Sequence, residues 1–229
     1  MKILVIEGLD GSGKSTQLKL IKDFLTNKGK NFKYIHFPTM ESPYFGKQIA
    51  RFLRGEFGKL EDVDPYIVAM MYAGDRFIAK DMINSWLDDK NIVIIDRYVY
   101  SNIAYQCAKL NSQDEQNKLK KWIVDLEYNK YKITKPDISI FLDVPEKFTK
   151  QKLSEKRKGD DRDYLKDKND IHEENLDFQS QVKKLYLSFA DDDIDYRIID
   201  CSDGRGEMLS ADEIHQKIIA TICEYNFLI

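Results

Sequence analysis

Residues 7–16 read Glu7-Gly8-Leu9-Asp10-Gly11-Ser12-Gly13-Lys14-Ser15-Thr16, and their pattern sets the fold. Gly8, Gly13, Lys14 and Ser15 satisfy G-x-x-x-x-G-K-[ST]. A short apolar run, Ile3-Leu4-Val5-Ile6, precedes them. After them, apolar residues recur at Leu18, Ile21 and Leu25, a helical spacing. Strand, glycine-rich loop and helix in that order are the context in which this pattern cradles a polyphosphate. Glycines let consecutive backbone N–H groups curl around phosphate oxygens. The helix N-terminus adds positive potential, and the Lys14 ammonium reaches the terminal phosphates. The Ser15 hydroxyl suits Mg²⁺. A glycine-rich turn that merely ends a strand is the plain alternative, and the agreement of pattern with context disfavours it.

Composition narrows the class. The 229 residues are enough for a sizeable core, and 42% are apolar. With 36 basic and 39 acidic side chains the net charge is −3, a balance that does not suggest a nucleic-acid partner. No apolar run is long enough to span a membrane. The chain is expected to enter a strand at once, with no room for a signal peptide. Three cysteines (Cys107, Cys201, Cys223) without a C-x-x-C spacing lead us to expect free thiols in a reducing cytoplasm. His36, His172 and His215 are too scattered for a zinc site.

Further strands are expected at Phe32–Phe37, Asn91–Asp96, Ile138–Leu142 and Tyr196–Ile199. Short apolar runs separated by helices indicate a parallel sheet covered on both faces. Between the second and third strands, Asp64 as N-cap and Pro65 at the first helical position open a helix that should run to about Leu87. Ser210-Ala211-Asp212-Glu213 is a capping box opening the last helix. Lys109–Lys132 is polar and is expected to hold one exposed helix. Ser154–Asp170 is too charged to bury itself. It is either a solvated loop or a mobile lid that orders over a charged ligand. No linker or repeat interrupts the chain, so 1–229 is expected to be one domain with a lid at about 154–170.

A phosphate loop does not name a reaction. The guanine-reading N-K-x-D is missing: Asn27-Lys28, Asn117-Lys118 and Asn129-Lys130 all lack the Asp. Hydrolytic ATPases place a water-activating Glu after a strand-end carboxylate. Here Asp96-Arg97-Tyr98 follows Ile92–Ile95. Asp96 can hold the water shell of Mg²⁺, and Arg97 suits a second phosphate better than a water molecule. A strand-end ion pair is the alternative for Arg97. An acceptor that is already a phosphate anion needs cations rather than a base. The cations on offer are Lys14, Arg97, Arg157 and Arg162.

With these residues in view, the chain closely resembles the thymidylate kinases over nearly its whole length. The resemblance rests on residues 7–16, on Phe37-Pro38, on Tyr72-Ala73-Gly74-Asp75-Arg76, and above all on Asp96-Arg97-Tyr98-Val99-Tyr100-Ser101-Asn102-Ile103-Ala104-Tyr105-Gln106. It implies an α/β P-loop NTPase fold with a five-stranded parallel sheet and a mobile lid, a homodimer, ATP and Mg²⁺, and the reaction ATP + dTMP → ADP + dTDP. It also implies that the lid supplies the catalytic arginine, since Gly11-Ser12 stand in the phosphate loop.

The resemblance assigns roles along these motifs. Gly8 to Thr16 would bind ATP. Tyr72 and Arg76, four apart on one helix face, would read the base; otherwise they are a core ring and a surface ion pair. Ser101 is expected to cap a helix that places Asn102, Tyr105 and Gln106 on one face. Tyr105 would lie against the 2′ carbon of the sugar and Gln106 near the base, unless the face is ordinary core. Asp10 would approach the acceptor's 3′ hydroxyl and phosphate, and some group must offset its charge beside a triphosphate. Phe37 and Pro38, at the sheet's C-terminal edge, and Leu53 would line the base pocket. Cys201–Arg205 could border adenine. The chain departs from the commoner bacterial pattern at Asp170, where an Arg usually precedes the Ile, so the catalytic choice between Arg157 and Arg162 stays open. A deoxynucleoside kinase and a catalytically silent nucleotide-binding protein are the rival readings.

Overall fold

The structure, a computed structural model, describes residues 2–149, 165, 170–172 and 176–225. The strands are β1 (Lys2–Glu7), β2 (Phe32–His36), β3 (Ile92–Asp96), β4 (Ile138–Asp143) and β5 (Tyr196–Asp200). They form one parallel sheet in the order β2-β3-β1-β4-β5. The helices are α1 (Lys14–Asn27), α2 (Phe45–Leu53), α3 (Pro65–Asp88), α4 (Val99–Cys107), α5 (Gln113–Val124), α6 (Leu176–Ser188) and α7 (Ala211–Glu224).

Alternation along each strand sends neighbouring side chains to opposite faces. Leu4, Ile6, Ile94 and Ile140 pack with Leu18, Ile21 and Leu25 of α1 and with Ile214, Ile218 and Ile222 of α7. Ile3, Val5, Val93, Ile95 and Phe141 pack with residues of α3, α4, α5 and α6 on the other face. With both faces covered, the central strands β1, β3 and β4 read as nearly continuous apolar runs, whereas the edge strand β2 keeps Lys33, Tyr34 and His36 exposed. Burying each such Ile contributes about 1.5–3 kcal/mol.

Register positions the site. Ile6 of β1 and His36 of β2 both stand opposite Asp96 of β3. The segments leaving these strands, Glu7–Gly13, Phe37-Pro38 and Arg97-Tyr98, therefore emerge side by side at the C-terminal edge. The Phe37–Pro38 peptide is cis.

Asp64 accepts from the Tyr66 N–H at 2.7 Å with Pro65 beside it, as the cap pattern requires. The reciprocal capping box of Ser210 and Glu213 also forms.

Three expectations need correction. Helix α2 was not anticipated. It sits between β2 and α3, and its Phe45 ring comes so close to α3 that a Cβ at Gly74 would lie 2.4 Å from it. Ser101 is not an N-cap, because α4 begins at Val99. The buried Glu7 takes the capping role from a distance, accepting from the Tyr98 N–H at 2.9 Å and the Ser101 N–H at 3.3 Å. A carboxylate at a helix N-terminus satisfies orphan donors and the positive end of the dipole. The Ser101 hydroxyl is itself drawn to Glu7 Oε2, at 2.5 Å. Finally, the helix within Lys109–Lys132 is not simply exposed. Leu119 and Ile123, four apart on α5, are fully buried, and the π-helical turn Asp125–Lys130 carries Glu127 into the interior.

Candidate active site

The phosphate loop has the backbone its sequence demands. Gly11 and Gly13 adopt φ of 76° and 81°, the left-handed region that a Cβ disfavours. Gly13 is the N-cap of α1 and no side chain caps that end, so the first-turn N–H groups are offered to an anion. Lys14 Nζ donates to the carbonyls of Gly8 (3.1 Å) and Leu9 (3.0 Å), folding back over the loop. Leu9 and Ser12 are buried, while Ser15 and Thr16 are exposed.

A cleft with about 920 Å³ of open space runs from this loop along the sheet's C-terminal edge. Of the expected site residues, it gathers Asp10, Lys14, Ser15, Phe37, Pro38, Leu53, Tyr72, Arg76, Asp96, Arg97, Asn102, Tyr105 and Gln106. Gly8, Leu9, Gly11, Ser12, Gly13 and Thr16 form the adjoining loop without lining the cleft. Arg157 and Arg162 lie outside the described residues. The cleft also takes in His36, Met40, Ser101, Asp170 and His172, none of which the sequence had marked as site residues.

The cleft's charged centre is Asp10 with Arg97. Arg97 follows β3 at φ 65°, a conformation uncommon for a side-chain-bearing residue. There its Nη2 donates to Asp10 Oδ1 at 2.7 Å and its Nη1 to Ser101 Oγ at 3.3 Å. Tyr105 O–H donates to Asp10 Oδ2 at 2.9 Å, and the guanidinium lies 5.2 Å from the Tyr105 ring. These contacts are the offset that Asp10 needs. Burial pushes its carboxyl up, but the charges of Arg97 and Lys14 and the Tyr105 hydroxyl outweigh burial and hold it well below the usual range. Arg97 forms an ion pair and also lines the cleft, so the pairing does not take it away from a ligand.

Beneath this centre, Glu7 is fully buried and accepts from Tyr186 O–H at 3.1 Å as well as from the α4 N-terminus. Burial raises its pKa despite the Ser101 and Tyr186 hydrogen bonds and the Arg97 charge. Its contacts tie the residues after Arg97 to β1, and nothing in the sequence pattern reveals them.

Asp96 Oδ2 pairs with His36 Nδ1 at 3.1 Å, while Oδ1 is buried with no partner. Burial pushes its pKa up, but the His36 contact and the charges of Lys14 and Arg97 win and lower it. An ionised carboxylate with an orphaned oxygen, near the exposed Ser15 hydroxyl, fits a Mg²⁺ that keeps water ligands. No cluster of three or more His, Cys, Asp or Glu that could hold a metal is found among the described residues.

Also lining the cleft, Arg76 donates through Nε (2.5 Å) and Nη2 (2.6 Å) to Glu127, and both residues are buried. Burial disfavours the Arg76 charge, but the Glu127 carboxylate overrides it and raises the pKa. Asn102 Nδ2 donates to Glu127 Oε1 and the Ala69 carbonyl, each at 3.0 Å. Asn102 Oδ1 and both amide atoms of Gln106 are buried without a hydrogen-bond partner. Such atoms are costly unless a ligand satisfies them. Asp75, next to Arg76 on α3, accepts from Thr39 N–H at 2.7 Å and from the Thr39 hydroxyl, holding the loop that follows Phe37-Pro38.

Comparison with known proteins agrees with this geometry. A profile of the family described as Thymidylate kinase matches residues 6–215. The "Probable thymidylate kinase" of Thermococcus kodakarensis is 30% identical over 224 residues, covering 96% of each chain. The "Probable thymidylate kinase" of Staphylothermus marinus is 33% identical over 189 residues, covering 82% of this chain and 81% of that one. Among solved structures, the thymidylate kinase of Candida albicans superposes with a TM-score of 0.73 at 25% identity, over 99% of this chain and 92% of that one.

Proposed function

The chain belongs to the thymidylate kinase family, and from this premise we infer that it transfers the γ-phosphoryl group of ATP to dTMP, giving ADP and dTDP. The observation that carries the reading is the arginine placed after β3. Arg97 stands within the cleft, paired to Asp10, next to a phosphate-loop lysine. A cation there suits an acceptor that is itself an anion, whereas a hydrolase would need a carboxylate to activate water.

In the proposed complex the ATP phosphates lie on the backbone of Gly8 to Thr16 with Lys14 on the terminal groups. The dTMP phosphate lies against Arg97. Its oxygen attacks the γ-phosphorus as the bond to the ADP oxygen breaks. Arg97 and Lys14 bring the two anions together. Mg²⁺, held through Ser15 and water on Asp96, would neutralise charge on the ATP phosphates. Phe37, Pro38, Leu53 and Tyr72 enclose the thymine. Arg76, Asn102 and Gln106 supply hydrogen bonds to its edge, and Tyr105 borders the sugar. Arg157 and Arg162 are proposed as lid cations over the transferred group, in a single domain whose lid spans about 154–170.

We also propose a homodimer. Helix α3 exposes Ile67, Met70, Phe77, Ile78 and Met82 by 42–53%, an apolar stripe that a second copy would cover. The cysteines are free, which fits a reducing cytoplasm. No helix of the described residues is long and apolar enough to cross a membrane.

An ADP-release assay with ATP and a panel of nucleoside monophosphates, with thymidine alongside, tests the reading. Turnover is expected with dTMP and not with thymidine. Turnover of thymidine alone would make the protein a nucleoside kinase, and ATP binding without turnover of any monophosphate would remove catalysis from the account.

A further inference from the structure

One buried polar group in the cleft has no place in the scheme above. His172, in the segment leading to α6, is only 5% exposed and lines the cleft. Its Nε2 is buried without a hydrogen-bond partner. The rest of the residue is fixed. Its N–H is accepted by Asp170 Oδ1 at 2.8 Å, and its carbonyl accepts from Gln179 Nε2 at 2.8 Å. Its ring packs on Tyr105 (4.9 Å between centroids), Phe52 (5.6 Å) and Phe178 (5.7 Å). Buried side-chain nitrogens usually find a partner. Here the nitrogen is left open, in the cleft where the Gln106 amide is also left open. The two groups do not bond each other, which leaves both open to a ligand in the cleft.

We propose that His172 is a further substrate-contacting residue that hydrogen-bonds, as a neutral imidazole, to the nucleoside part of the bound monophosphate rather than to its phosphate. This rests on the dTMP reading of the cleft. Three aromatic rings surround the imidazole, which suits a base or sugar and not a dianion. The phosphate-binding cations are held by other groups: Arg97 pairs with Asp10 at 2.7 Å, and Lys14 Nζ folds over the Gly8 and Leu9 carbonyls. Lys109 Nζ, 4.6 Å from the Phe52 ring on which His172 also packs, further disfavours an imidazolium. Burial and Lys109 together hold the His172 pKa down at about 3.

The test is calorimetric binding of dTMP, thymidine and ADP to wild type, H172F and H172Q, with KM and kcat measured in parallel. Phenylalanine keeps the ring packing and removes the nitrogen; glutamine returns a polar atom near its position. H172F should weaken dTMP and thymidine by the same factor, about 5- to 30-fold for one lost contact to a buried group. ADP binding and kcat should stay within about twofold, and H172Q should recover part of the loss. If H172F proves unstable, H172Q against H172M supplies the same comparison. Unchanged dTMP affinity in H172F, with dTMP binding normal in wild type, overturns the proposal and leaves the kinase reading intact. A loss confined to dTMP and absent for thymidine would place the contact on the phosphate and overturn it as well. Failure of wild type to bind dTMP would sink the kinase reading itself.

Discussion

Asp10 and Arg97 are best understood as one unit. The carboxylate would repel bound phosphates by itself, and the guanidinium would be a buried unpaired charge by itself. Together they present a donor face that an incoming phosphate can share. Arg97→Ala should therefore raise the KM for dTMP by roughly 10²-fold or more while ATP affinity changes little, since a desolvated charge-assisted contact is lost. Arg97→Lys should recover only part, because a fork becomes a point charge. Equal loss of both nucleotides in titrations of the variant would place Arg97 elsewhere. Tyr105 belongs to the same unit. Its hydroxyl is anchored on Asp10, so its ring cannot swing aside. Wild type should prefer dTMP to ribothymidine monophosphate by about 5- to 150-fold, the cost of burying an unpaired hydroxyl. Tyr105→Ala should narrow that ratio in kcat/KM, and an unchanged ratio would make the ring plain packing. Arg97, Tyr105 and Gln106 were legible in the sequence because a contiguous motif carries them. Glu7's contacts were not, because they join residues more than ninety positions apart and no local pattern encodes them.

At the scale of elements, helix α3 and the π-helical turn after α5 are joined by Arg76 and Glu127. Both ends are desolvated, so removing one strands the other. Glu127→Ala should cost about 3–5 kcal/mol in denaturant unfolding, and it should raise the KM for dTMP by releasing Arg76. A loss under about 1 kcal/mol would mean that water enters the pair. Periodicity placed Tyr72 and Arg76 on one face of α3, but it could not supply Glu127, which comes from a turn that reads as polar surface. The segment before α6 has a pH signature. His172 is held near pKa 3 by burial and by Lys109, with Arg97 adding weakly in the same direction and Asp10 alone opposing. An unfolded histidine takes up its proton near 6.5. The folded form binds fewer protons between these values, so stability is full above about pH 6.5 and declines as pH falls toward 3. The decline approaches 1.4 kcal/mol per pH unit for this one group. The difference in unfolding free energy between wild type and H172F, measured from pH 7.5 to 4.5, should shift with that slope below 6.5. A pH-independent difference would show that the buried imidazole protonates in place.

For the molecule as a whole, the exposed stripe on α3 decides the assembly expected in solution. Placing charges on it, as in Ile67→Glu with Phe77→Glu, should convert a dimer to a monomer in sedimentation while leaving the fold intact by circular dichroism. A monomeric wild type would end the dimer proposal. The fold class was set by the sequence itself. A phosphate loop between strand and helix, followed by apolar runs alternating with helical spacing, admits little but a parallel sheet covered on both faces, because local pattern and two-sided burial act at short range. Helix caps at Asp64 and Ser210 were equally local. Tertiary structure alone decided that Glu7 caps α4 from β1, that Glu127 holds Arg76, that Arg97 neutralises Asp10, and that His172 enters the cleft with an open nitrogen. These contacts depend on strand order and register, which bring distant residues to one edge of the sheet. Their strength comes from desolvation, a property that no residue has until the chain has closed around it.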